Sequence, residues 1–261
     1  IFICGVPGRG KTPTCMSILL QSNMPFLVIE PAKTEYRVLS NHFDDILVFT
    51  LGRDDVAPFR LNPLEFLPTE TISSHVDMVK ASIESAFDME DAIPQLVESA
   101  LYECYKIYGW DIQSGHNYKF TNPFDQNVYS FPTLSDLIVS IEDVVDRQGF
   151  DERLRNDYLG SIRARLMGLT LGAKDAMLNT TRYIDFRKLV HKKVVLELEN
   201  IKSGSEKSLI MGFLLSQLNE AIKAEFLLDK EFRHITLIEE AHRLLSKDMP
   251  GDSLNKKNGV E

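Results

Sequence analysis

Gly5-Val6-Pro7-Gly8-Arg9-Gly10-Lys11-Thr12 follows the apolar run Ile1-Phe2-Ile3-Cys4 and leads into Cys15-Met16-Ser17-Ile18-Leu19-Leu20. The eight residues satisfy G-x-x-x-x-G-K-[ST], a glycine-rich turn between a buried strand and a helix. Glycines let backbone N–H groups turn inward around a polyphosphate, and the helix start adds the positive end of its dipole. In that geometry Lys11 reaches the β- and γ-phosphates of ATP, and the Thr12 hydroxyl holds Mg2+. A plain glycine turn has no need of a lysine beside a hydroxyl. Gly5, Pro7, Gly8, Arg9, Gly10, Lys11, Thr12 and Pro13 are therefore expected to contact a nucleotide.

Two of these residues modify the expectation. Pro13 has no N–H to offer toward the α-phosphate, which predicts weakened nucleotide affinity. Arg9 brings a second cation to the mouth of the loop, where it either lies over the γ-phosphate or extends into water.

Working outward, Ile1-Phe2-Ile3-Cys4 reads as a core strand, and Phe26-Leu27-Val28-Ile29-Glu30, stopped by Pro31, as a second. Ile46-Leu47-Val48-Phe49-Thr50 reads as a third. The core resumes at Val194-Val195-Leu196-Glu197-Leu198-Glu199, and the last strand is Ile235-Thr236-Leu237-Ile238. Strands alternating with helices make this an α/β chain with a mostly parallel sheet. The segment Pro31-Ala32-Lys33-Thr34-Glu35-Tyr36-Arg37 places charges at the carboxyl end of a strand, where such sheets bind ligands; a helix cap with a solvated face fits it equally well. Glu197 and Glu199 fall on one face of their strand, either as polar support for a site or as its exposed end.

Between the third and fourth of these stretches the pattern turns helical. Val76, Val79, Ile83 and Phe87 keep helical spacing, as do Val97, Leu101, Cys104 and Tyr108 after Pro94. Leu134, Leu137, Ile138, Ile141 and Val145 mark another helix, with Thr133 and Asp136 as its capping pair. Residues 151–169 mark a further one. It carries Arg153, Arg155, Arg163 and Arg165, either a solvated face with carboxylate neighbours or a phosphate contact. Gly109 to Pro132, polar and rich in Asn and Gly, reads as a surface loop. A last helix spans about Glu206 to Phe226, and Lys247 to Glu261 reads as a mobile loop. The implied division is a first part of the core at 1–68, a helical insertion at 69–190 and a second part of the core at 191–261.

Composition narrows the function classes. Of 261 residues, 44% are hydrophobic and 26% charged, ordinary for a globular protein. A formal net charge of −9 argues against a broadly basic nucleic-acid-binding face while leaving room for a few basic loops. No apolar run approaches a membrane span and no secretory signal is present, so a cytoplasmic location is expected. Cys4, Cys15 and Cys104 have neither metal spacing nor an even count for disulfides, as befits buried thiols in a reducing compartment. Beginning on Ile within a core strand, the chain reads as a segment of something longer.

Glu239 and Glu240 end the last apolar strand. Acids at such a place are costly unless they have a task or a partner. A helix start decorated with acids is favourable on dipole grounds alone. Beside a phosphate loop, however, the pair suits hydrolysis better: Glu239 approaches Mg2+ through its waters, and Glu240 orients or deprotonates the water that attacks the γ-phosphate.

With both ends read, the sequence resembles the HerA and FtsK superfamily of hexameric ATPases, above all the HerA-like branch, which also resembles the ATPases of conjugative secretion. The residues carrying the resemblance are Gly5 to Thr12, Ile29 to Arg37, Phe59-Arg60-Leu61-Asn62-Pro63-Leu64, Val194 to Glu199 with Ser203 and Lys207, and Ile238-Glu239-Glu240-Ala241-His242-Arg243-Leu244-Leu245. The helical middle then corresponds to the family's variable insertion. The resemblance implies a RecA-like P-loop NTPase core, a homo-hexameric ring with ATP between subunits, and translocation on double-stranded DNA. By that analogy Lys11 and Thr12 bind nucleotide and metal, and Glu240 is the catalytic carboxylate. Arg9 and Pro13 depart from the family loop, and the family's amino-terminal barrel, polar sensor and arginine finger have no counterpart in these residues.

The expected function is thus the ATP-hydrolysing core of a HerA-like DNA translocase, beside a nuclease or another effector in DNA processing or phage defence. Two alternatives stand next to it: a conjugation or secretion ATPase acting on protein, and a nucleotide-binding ring scaffold without turnover.

Overall fold

The computed structural model describes residues 1–6, 8–55, 57–87, 92–125, 127–181 and 183–244, Arg243 by its backbone alone. Among these residues four parallel strands, β1 (Phe26–Glu30), β2 (Ile46–Thr50), β3 (Lys193–Glu197) and β4 (Ile235–Ile238), lie in the order β2-β3-β1-β4. β1 is therefore central, with Val28 opposite Val195 on one side and Leu237 on the other. All five β1 residues are buried. The continuous apolar run of the sequence reflects that burial on both faces.

Alternate residues of the strands serve opposite faces. Phe26, Val28 and Val195 pack with Cys15 and Leu19 of helix α1 (Lys11–Ser22) and with Tyr36 and Leu39. Leu27, Ile29, Val194 and Leu196 enter the larger core, which also holds Val76 and Val79 of α2 (Ile72–Ala86) and Val97 and Leu101 of α3 (Ile93–Ile107). The same core takes in Leu137 and Ile141 of α4 (Leu134–Arg147) and Leu159 and Ile162 of α5 (Glu152–Leu166). Two short helices follow, α6 (Ala173–Leu178) and α7 (Phe186–Leu189). The long helix α8 (Gly204–Leu228) lies against α2 and buries residues around most of its circumference, as a helix between two layers must. Among the described residues no helix is long and apolar enough to cross a membrane.

The helix ends follow the local chemistry. Thr133 and Asp136 form a reciprocal capping box on α4, and Pro94 occupies the first turn of α3. Arg155 bonds Asp146 at 2.6 Å and Arg163 bonds Glu142 at 2.8 Å, so arginines of α5 meet carboxylates of α4. Arg153 faces Asp157 within its own helix.

Several expectations need correction. Ile1-Phe2-Ile3-Cys4 is not a strand: among the described residues it has no ladder partner, and Ile1 and Phe2 are 115% and 84% exposed. The segment lines a cleft beside β4 with its apolar side chains left in solvent, so little burial offsets the cost of ordering it as a strand. Cys4 is accordingly exposed, while Cys15 and Cys104 are buried thiols. Glu199 lies beyond β3 and is exposed, whereas Glu197 ends the strand fully buried. Gly109 to Pro132 is only in part a surface loop. Trp110 and Phe131 are buried with Phe66, at centroid distances of 4.9 Å and 5.1 Å from it, and Trp110 donates to the Ser130 carbonyl at 2.6 Å. Aromatic area on that scale outweighs the polar composition around it. The tail at Lys247 to Glu261 lies outside the described residues.

Candidate nucleotide-binding site

The site is built where β1 and β4 end and α1 begins. From β1 the chain runs outward to β2, while from β3 it crosses over β1 to reach β4, so the strand order reverses beside β1. Ligands of open parallel sheets bind at the carboxyl ends of strands at such a point. A cleft of about 620 Å³ opens there, lined by Gly8, Gly10, Lys11, Thr12, Pro13, Met16, Glu30, Ala32, Lys33, Glu35, Glu239 and Glu240. Its volume is in the range of small-molecule and cofactor sites.

The loop enters it through two glycines with positive φ, Gly8 at 75° and Gly10 at 84°. Residues with a Cβ rarely adopt that region, so both positions require glycine for backbone reasons. Gly10 directly precedes α1, and its carbonyl accepts from Thr14 N at 3.0 Å. Lys11 Nζ donates to the carbonyls of Gly5 at 2.8 Å and Val6 at 3.3 Å, which keeps the ammonium folded over its own loop.

The structure brings Lys11, Thr12, Glu239 and Glu240 to one cleft from opposite ends of the chain. Arg9 is exposed and does not line it. Gly5 lines the neighbouring cleft beside β4 instead. Pro7, also expected to contact nucleotide, lies outside the described residues. Glu239 is half-buried, and its backbone N–H bonds the Ile29 carbonyl at 3.1 Å. Glu240 is exposed, with φ of 52°, an uncommon region for a residue with a side chain; His242 Nδ1 stands 3.5 Å from its carboxylate.

The segment after β1 is more tightly organised than either of its two sequence readings. Glu30, 2% exposed, accepts the N–H groups of Glu35 at 2.7 Å and Tyr36 at 3.3 Å. Burial raises its carboxyl above the usual range against those two bonds. Lys33 pairs with Glu35 at 2.8 Å, and Lys33, followed by the Thr12 hydroxyl, holds the Glu35 carboxyl below its ordinary value. Arg37 bonds both oxygens of buried Glu197, at 3.0 Å and 2.6 Å, and Thr50 donates to the same carboxylate at 2.8 Å. Glu197 is therefore a support that joins the turn after β1 to β2 and β3. Sequence reasoning assigned no role to Tyr36, whose hydroxyl donates to Glu239 at 2.5 Å. No local pattern could have shown a contact between residues so far apart.

The donor set fits a nucleotide with a divalent cation. An ammonium, glycine N–H groups and a helix start suit phosphates, and a hydroxyl beside carboxylates suits a hard cation. Among the described residues no trio of His, Cys, Asp or Glu forms a cation cage of its own.

A parallel α/β sheet with a glycine-rich loop at the head of α1 and acids at the end of β4 is the RecA-like P-loop NTPase class of fold. Among solved structures the chain is similar to VirB4 of Thermoanaerobacter pseudethanolicus, with a TM-score of 0.60, 16% sequence identity, and coverage of 91% of this chain and 82% of that one. No protein-family profile matches the sequence, and no curated protein matches it.

Proposed function

We propose that the chain is the ATP-hydrolysing motor core of a HerA-like hexameric translocase on double-stranded DNA, working beside a nuclease or effector in DNA processing or phage defence. The observation that carries the reading is the meeting of Lys11 and Thr12 with Glu239 and Glu240 around one cleft. Gly8, Gly10 and the start of α1 would seat the phosphates, and Lys11 would exchange its loop carbonyls for β- and γ-oxygens. Thr12 and Glu239 would hold Mg2+, which when bound offsets charge on the phosphates. Glu240 would orient the attacking water and take its proton.

The likeness to VirB4 supports an ATPase of the secretion and HerA–FtsK type, and so favours a second reading in which the ring acts on protein. ATP hydrolysis by the full-length protein, measured with and without duplex DNA, separates the two. Stimulation by DNA supports the translocase; turnover indifferent to DNA supports the secretion reading. Nucleotide binding without turnover would mean a scaffold, the version that Pro13 favours. Lys11→Ala and Glu240→Gln should each abolish hydrolysis, and rates retained in both would refute the assignment.

A further inference from the structure

Tyr36 stands where three parts of the site meet. Its backbone is fixed by Glu30, which takes the N–H groups of both Glu35 and Tyr36. Its ring is fully buried, in the cluster that includes Cys15 and Leu19 of α1 and Val28 of β1. Its hydroxyl crosses to Oε1 of Glu239 at 2.5 Å, spanning 203 positions of sequence. An ionised carboxylate only accepts, so the phenolic O–H is the donor in that bond. A carboxylate offers about four acceptor sites on two oxygens; one bond at Oε1 orients its plane and leaves Oε2 for the cleft that Glu239 lines. Carboxylates that serve a metal are themselves held by outer hydrogen bonds of this kind.

We propose that Tyr36 is the positioning residue for Glu239: its hydroxyl sets that carboxylate toward the divalent cation bound with the nucleotide. The inference rests on the ATP and Mg2+ reading above. The geometry gives Glu30 a part as well, since it fixes the turn from which Tyr36 reaches across. A merely structural tyrosine would need its hydroxyl satisfied but would leave metal binding alone.

Tyr36→Phe keeps the buried ring and removes only the hydroxyl. In the full-length protein, a fluorescent ATP analogue in EDTA measures metal-free nucleotide binding. Electron paramagnetic resonance then measures Mn2+ binding in the presence of a non-hydrolysable ATP analogue. Tyr36→Phe should keep the metal-free affinity within about twofold and bind Mn2+ roughly tenfold more weakly. The double variant Tyr36→Phe/Glu239→Gln should bind Mn2+ no more weakly than Glu239→Gln alone, because one residue acts through the other. Mn2+ affinity unchanged in Tyr36→Phe, or losses that simply add in the double variant, would overturn the inference while leaving the nucleotide reading intact. Native protein that takes up no Mn2+ with the nucleotide would overturn both.

Discussion

Glu220, in α8, and Glu239, at the end of β4, are both carboxylates beside apolar cores, and the protein treats them differently. Glu220 is fully buried. One oxygen meets His75 Nδ1 at 2.6 Å and the other accepts Leu67 N–H at 3.0 Å, while His75 Nε2 meets the Pro63 carbonyl at 3.1 Å. Both oxygens have partners within the protein, and the group ties residues 63–67 to α2 and α8. Glu239 is half-buried, with Tyr36 as its hydrogen-bond partner, and Glu240 is more open still. Here the carboxylate with both oxygens bonded holds layers together, and the one with a single side-chain partner faces the cleft. Acidic character alone does not separate the two kinds; the number of partners does.

The largest test of that contrast is Glu220→Ala, which strands His75 and the Leu67 N–H in the core. Leaving buried hydrogen-bonding groups without their partner costs about 1–3 kcal/mol each, and urea unfolding should show it. Nucleotide affinity of the protein that remains folded should not change. A loss under about 1 kcal/mol would break the comparison.

Glu65 sharpens it from another side. Burial pushes its carboxyl up to about 9 from an ordinary value of 4.5, so the folded chain keeps a proton that the unfolded chain has released. Its contribution to stability is whole below about 4.5 and is lost as pH rises toward about 9. Stability should therefore fall across that window by up to about 1.4 kcal/mol per pH unit. Glu65→Gln, which stays neutral, should flatten the profile; equal slopes in both proteins would remove Glu65 from the account.

On the open side the effects are smaller. Pro13→Asn restores an N–H in the first turn of α1, and calorimetry should show ATP binding tighter by roughly three- to tenfold, the value of one hydrogen bond. An unchanged affinity would mean that the proline costs nothing. Smallest in stability is Glu240→Gly, which relieves a left-handed residue and should raise stability by about 0.5–1 kcal/mol while ending hydrolysis. Thermal unfolding beside a turnover assay would reveal the two opposite signs.

Most of the fold was legible because its signals are local. The runs at Phe26 and Ile46 announce buried strands, Thr133 with Asp136 announces a helix start, and Gly8, Gly10 and Lys11 announce their turn. What escaped depends on partners distant in sequence. The run at Ile1 looks like a strand, yet strand formation needs neighbours, and this segment has none in the ladder. Trp110 and Phe131 sit in a polar stretch whose composition hides the aromatic cluster they make with Phe66. Neither Arg37 with Glu197 nor Tyr36 with Glu239 follows a periodicity; only the sheet order brings each pair together.

That order has a consequence during synthesis. The segment carrying Tyr36 leaves the ribosome 203 residues ahead of Glu239. At ordinary elongation rates this is an interval of roughly 10–40 s. For most of that time β1 lacks both of its ladder neighbours, β3 and β4, so the sheet edge that carries the cleft is completed last.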